Sequence, residues 1–201
     1  WRQLLKEAAS EKASDHWLSW LHLGVMAYHD GDTAEAVEAW QRSLRLARSP
    51  WALRNLAVQA RREGRKAEAA AHMREACAML PTLLPLVIEC MDTQIDAAQP
   101  AEALKLLPVL PATVRENGRV RILTARAAIE VGELDRAEAI LRDHIEIINL
   151  REGELTLADL WFSLHERRIA GAEGRPVDDA VRQRVRRDFP PPPHLDFRMF
   201  G

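Results

Sequence analysis

Cysteine is scarce in this chain of 201 residues, which holds only Cys77 and Cys90. Both fall on apolar faces of helical pattern, so free thiols in a reducing compartment are expected rather than a disulfide. An excess of charge of either sign is also missing. Twenty-eight Lys and Arg against 30 Asp and Glu leave a formal net charge of -2, which gives no reason to expect general binding to nucleic acid or to an anionic membrane. No stretch approaches the roughly 18 apolar residues that span a bilayer. The chain opens Trp1-Arg2-Gln3-Leu4-Leu5, with neither an initiating Met nor the apolar run of a signal peptide. That start reads as a cut inside a longer protein, and a cytoplasmic location is expected.

The usual carriers of chemistry are equally sparse. There is no Gly-x-Ser-x-Gly turn and no phosphate-cradling glycine loop. Of the seven histidines, His22 and His29 stand too far apart on one helix to share an ion. His165-Glu166 lacks the second histidine of a zinc-protease helix. No metal and no cofactor are therefore expected. Asp92 and Asp96, with Glu89 and Glu130, suggest an acid-base pair, since glycoside hydrolysis needs two carboxyl groups roughly 5 to 10 Å apart. Acidic residues at i and i+4 belong far more often to a solvated helix face, and the reading taken is a non-catalytic segment.

What is present is a small-residue pattern that returns every 33 to 34 positions. Gly31, Gly64, Ala98 and Gly132 keep this interval, as do Ala36, Ala69, Ala103 and Ala137, and Gly24, Ala57, Met91 and Ala125. Bulky Trp40, Met73, Leu107 and Leu141 follow the same period. Two amphipathic segments per unit at this period predict an all-α stack of helical hairpins rather than one globular core. In the first unit Trp17, Trp20, Leu21, Gly24, Val25 and Tyr28 fall at helical spacing before the break at His29-Asp30-Gly31-Asp32. A second helix runs from about Thr33 to Ala47, with Ala36, Val37, Trp40, Leu44 and Leu46 as inward candidates. Small residues at Gly24 and Ala36 let the two helices approach closely. The third unit is the least regular, because Ala98 replaces the turn glycine and Pro108 and Pro111 shorten its second helix.

These residues resemble the tetratricopeptide repeat family over about Trp17 to Arg151. Trp20, Leu23, Gly24, Ala36 and Pro81 stand where that family favours Trp, Leu, Gly, Ala and Pro. The family's helix-A tyrosine is replaced by Ala27, Ala60, Gln94 and Ala128, and the closing proline occurs only in the second unit. The resemblance implies a right-handed superhelical stack of four repeats, at about 17–49, 50–83, 84–117 and 118–151. Residues 1–16 then read as the end of a preceding repeat, 152–189 as capping helices and 190–201 as an extended Pro-rich tail. Within the cap, helices are expected at about Thr156 to Ala170 and Val177 to Phe189. The tail either folds back over the repeats or a missing domain, or docks on a partner. Ser49 to Ala57, Leu160-Trp161-Phe162 and Asp188 through Phe200 also look like the C-terminal region of large bacterial proteins whose β-rich, carbohydrate-enzyme-like part precedes the repeats.

In this family the first helix of each unit lines the concave side. The resemblance places Leu18, Leu21, Val25, Tyr28 and His29 on that groove, then Trp51, Arg54, Asn55, Val58, Arg61 and Arg62. Ile88, Glu89, Asp92, Ile95 and Asp96 follow, and last Arg119, Ile122, Arg126, Ile129 and Glu130. Partner contact is expected at Tyr28, Trp51, Arg54, Asn55, Val58, Arg61, Arg62, Glu89, Asp92, Asp96 and Arg126. Two readings of the charges stand open. The arginines grip an acidic segment through forked hydrogen bonds, or neighbouring strips neutralise one another, as Arg62 with Asp96 or Arg126 with Asp92. The expected function is a protein-protein or inter-domain scaffold without nucleic-acid or membrane partners. The alternative is an accessory segment of a carbohydrate-active enzyme that contributes sugar-contacting residues.

Overall fold

The computed structural model describes residues 15–145 and 156–195, together with Leu4 and Glu7. The expected end of a preceding repeat before Asp15, most of the link after His144, and the end of the tail beyond Leu195 lie outside the described residues. Eleven α-helices and two short 3-10 turns make up the described residues, which contain no strand. The chain divides into two compact units, residues 1–97 and 98–201.

The first unit carries α1 (Trp17–His29), α2 (Thr33–Leu46), α3 (Pro50–Arg62), α4 (Lys66–Met79) and α5 (Leu84–Asp96). Helix α2 starts where Asp32 accepts a hydrogen bond from the Glu35 amide at 3.1 Å, satisfying one of the donors that a helix start leaves open. Helix α3 opens on Pro50, whose missing N–H costs nothing in the first turn. Leu21, Ala27, Ala36 and Trp40 of the first hairpin form a core with Ala52 and Leu56 of α3. Polar bonds stitch the hairpin's open end. Asp15 accepts from Trp20 Nε1 at 2.7 Å and from Arg42 Nη2 at 2.8 Å, and Ser43 Oγ donates to the Trp17 carbonyl at 2.8 Å. Between α4 and α5, the buried Gln94 amide donates to the Ala70 carbonyl at 2.8 Å. Cys77 and Cys90 lie here as free, buried thiols.

The second unit carries α6 (Pro100–Leu104), a 3-10 turn (Leu107–Val109), α7 (Ala112–Arg115), α8 (Gly118–Val131), α9 (Leu134–Arg142), α10 (Thr156–Glu173), α11 (Asp179–Asp188) and a second 3-10 turn (Pro193–Leu195). Pro108 and Pro111 supply no backbone donor, so the helix that opens at Pro100 stops at Leu104 and the chain continues as a tight turn. Ala125, Ala128, Ile129, Ala137 and Leu141 of α8 and α9 share one core with Leu157, Trp161, Leu164, Val181, Val185 and Leu195. Helices α10 and α11 therefore pack against the last hairpin. The first turn of α11 is held by Asp178, whose carboxylate accepts the Val181 amide at 3.0 Å.

Several sequence expectations need correction. Leu21, Ile95 and Ile129, assigned to the groove, are buried in the core. Leu21 precedes Gly24 by three positions, and Ile95 and Ile129 follow Met91 and Ala125 by four, which puts each on the packing face of its helix. Leu46, expected inward, is exposed at the end of α2. The proline run is not extended throughout. Pro193 opens a 3-10 turn with His194 and Leu195, a position where the fixed φ of proline fits a helical start. Leu195 is buried in the second unit's core, so the described part of the tail folds back.

A candidate protein-interaction face

Helix α3 brings Trp51, Arg54, Asn55, Val58, Arg61 and Arg62 forward, and α5 answers with Glu89, Asp92 and Asp96. The arginines do not share one fate. Arg54 donates from Nε and Nη2 to the two oxygens of Glu89, both at 2.6 Å, a forked pair that holds both side chains in one plane. Hydrogen bonding to Glu89 raises the Arg54 guanidinium above its ordinary value. Arg61 lies 3.0 Å from Asp92 and also binds Asp96, one turn further along α5. Partial burial opposes its charge, and the Asp96 and Asp92 carboxylates outweigh that and raise it.

Arg62 is different. Its guanidinium sits 5.2 Å over the Tyr28 ring of α1, and among the described residues no carboxylate lies at ion-pair distance from it. Mutual neutralisation of neighbouring strips thus occurs, with Arg61 in the place expected of Arg62. Arg126 pairs at 3.7 Å with Glu130 of its own helix α8. Tyr28 is half-buried, and its hydroxyl is enclosed without a hydrogen-bond partner among the described residues.

A cavity of about 270 Å³ opens beside these groups. Ala57, Val58 and Met73 form its apolar wall, and Arg61, Arg62, Glu89 and Thr93 its polar rim. Met73 and Thr93 were not among the expected contacts. Met73 does share the 33- to 34-residue period of Trp40, the one sequence signal that could have drawn attention to it. Away from the charges, three apolar side chains of α1 and α3 remain in solvent. Leu18 is 40% exposed, Val25 46% and Trp51 44%. Asn55 and Val58 are half-buried.

In the second unit a cavity of about 300 Å³ is lined by Arg126, Ile129, Glu130, Asp159, Leu160, Ser163 and Arg167. Arg167 donates to the Ile129 carbonyl at 3.0 Å, closing the end of α8 with a cation where the helix dipole is negative. Repeat reasoning reached only the α8 side of this cavity, because the period stops before α10.

A family model described as tetratricopeptide repeat matches residues 50–75 and 118–143, which cover α3 with most of α4 and then α8 with α9. Each of the two matched hairpins is of the tetratricopeptide-repeat type. A crystal structure of a tetratricopeptide repeat protein from Parabacteroides merdae has a TM-score of 0.59 to this chain at 16% identity, covering 86% of this chain and 68% of that one. At that identity the likeness shows the fold. No protein of curated function matches the chain. Tetratricopeptide repeats serve in general as protein-interaction scaffolds, and no described helix is long and apolar enough to cross a membrane.

Proposed function

We propose that this chain is a non-catalytic interaction scaffold whose contact surface in the first unit is the α1–α3–α5 face. The observation that carries the reading is the stripe on α3 formed by exposed Trp51 and Arg62 with half-buried Asn55 and Val58 between them. Tryptophan and arginine are the residue types most often found as binding anchors. Here the tryptophan stands in solvent and the Arg62 guanidinium is not committed to a carboxylate. The cavity next to Val58 and Met73 accepts one aliphatic side chain, and Arg62 at its rim offers a forked donor to a carboxylate. Arg54 and Arg61 act differently. They brace α3 against α5 and keep the face rigid, which lowers the ordering cost of binding.

A narrower form of the proposal places the partner in the same polypeptide, on a β-rich, carbohydrate-enzyme-like region ahead of Trp1. The alternative, direct sugar contact by this chain, is disfavoured at Asp92 and Asp96. Both side chains engage one guanidinium, that of Arg61, rather than standing as a proton donor and acceptor across a pocket.

Selection of random 12-residue peptides displayed on phage against the intact chain tests the reading. Enriched peptides are expected to lose at least about tenfold in affinity for a Trp51→Ala/Arg62→Ala variant. Enriched peptides that bind the variant as well as the parent, or no enrichment at all, overturn the assignment of this face.

A further inference from the structure

The second unit contains a titratable side chain that its repeats do not require. His165 of α10 is 3% exposed, and its Nε2 is enclosed with no hydrogen-bond partner among the described residues. Its ring stacks on Phe189, 4.3 Å between centroids at 21°, and meets the edge of Trp161 at 4.5 Å. Phe189 is the residue at which α11 ends and the proline segment begins. Trp161 Nε1 donates to the Phe189 carbonyl at 3.1 Å. Beyond it, His194 Nε2 lies 3.0 Å from the Leu141 carbonyl, and Leu195 fills the core. The imidazole is thus the platform on which Phe189, the first residue of the returning segment 189–195, rests.

We propose that His165 is a pH-sensitive latch: its protonation releases the segment 189–195 from α9 and α10. A neutral ring with hydrogen on Nδ1 leaves Nε2 a bare acceptor in an apolar sandwich. A proton there creates an N–H that finds no acceptor, together with a charge that has lost its water. Three charged groups face the ring. Glu138 of α9 favours the charged form, while Arg168 on its own helix and Arg142 of α9 oppose it. Glu138 is itself bound by both arginines, so its pull on the imidazole is offset. From α11 come the apolar Val181 and Val185 and then Phe189, while Arg184 and Arg186 of that helix are paired with Glu173 and Glu166. Burial lowers the His165 imidazole below its ordinary value, in the direction this geometry requires. His194 Nε2 faces the Leu141 carbonyl and donates to it.

The sign follows from linkage. A depressed folded value means that docking is complete above about pH 6.5 and weakens as the pH falls from there through the folded value. Opening uncovers Trp161 and Phe189, which turns an acid signal into exposed aromatic surface on α10.

The test is carried out on the intact chain with ¹³C-labelled histidine. The His165 resonance is followed from pH 7.5 to 5, and hydrogen exchange of the Phe189 and Leu195 amides is measured over the same range, corrected for intrinsic rates. Protection of both amides is expected to fall by at least about threefold as His165 titrates, below the midpoint of an ordinary histidine. It is expected to stay constant in His165→Phe, and to fall in His194→Gln as in the parent. An ordinary His165 midpoint in the parent, or protection unchanged across its titration, overturns the proposal whether or not His165→Phe folds. Equal loss of protection in a folded His165→Phe overturns it too.

Discussion

Gly24 of α1 and Trp40 of α2 are in direct backbone-to-ring contact. A Cβ built on Gly24 falls 2.4 Å from Trp40 Nε1, 2.5 Å from Cδ1 and 3.0 Å from the Ala36 carbonyl oxygen. The indole is buried in the first core and packs tilted at 46° against the Tyr28 ring, 5.6 Å between centroids. It cannot swing away without reopening the hairpin. Gly24→Ala is expected to destabilise the protein by about 1–3 kcal/mol through overpacking. Urea unfolding checks this, and a midpoint within error of the parent contradicts it.

The turn between the two helices of a repeat uses the left-handed region. Gly31, Gly64 and Gly132 have φ of 87°, 77° and 88°, and Ala98 takes the same conformation at 56°. A Cβ in that region costs roughly 1–2 kcal/mol, while glycine adds some unfolded-state entropy. Ala98→Gly is therefore expected to stabilise the chain by about 1 kcal/mol, read as a raised thermal midpoint. A lowered midpoint would show the strain is relieved elsewhere.

Two adjacent arginines are expected to behave differently in salt. Arg61→Ala removes an ion pair to Asp92 and Asp96 whose side chains are 28% to 43% exposed. It should cost no more than about 1 kcal/mol, less as NaCl is raised. Arg62→Ala should alter stability by less than about 0.5 kcal/mol at any ionic strength. Denaturant titrations at low and high NaCl distinguish them, and a salt-dependent loss in Arg62→Ala would place an unrecognised carboxylate beside it.

The hydrogen bond from Arg168, followed by that from Arg142, holds the Glu138 carboxyl below its ordinary 4.5 and outweighs burial. A lowered folded value means that this stabilisation is present above about pH 4.5 and is lost as the pH falls through the folded value. Glu138→Gln should lower the thermal midpoint at pH 7 and narrow its difference from the parent at about pH 3. A constant difference across that range would show that Glu138 contributes no proton-linked stability.

Much of the architecture was legible because close helix approach demands small residues at fixed positions. Gly24 with Ala36 and the glycines at the turns leave a mark that survives without any knowledge of contacts. The short α6 was legible for a similar reason, since Pro108 and Pro111 delete donors wherever they stand. The face was legible only as a set of helices. Leu21, Ile95 and Ile129 read equally well as groove or core from spacing alone, because one residue turns a helix by about 100° and a small rotation on packing carries a side chain from one surface to the other. The aromatic sandwich at His165 left no periodic signal, because it joins α10 to a segment after the repeats.

Alone, then, the order of residues determined that paired helices recur every 33 to 34 positions, where they break, and that apolar and charged side chains share their first helices. Packing decided which arginine meets which carboxylate. Arg61 rather than Arg62 reaches Asp92 and Asp96, and Arg62 turns to Tyr28. The reason is physical: spacing along one helix sets a side chain's direction about that helix, while its partner depends on how far and how steeply the neighbouring helix lies, a quantity set by the sum of many core contacts.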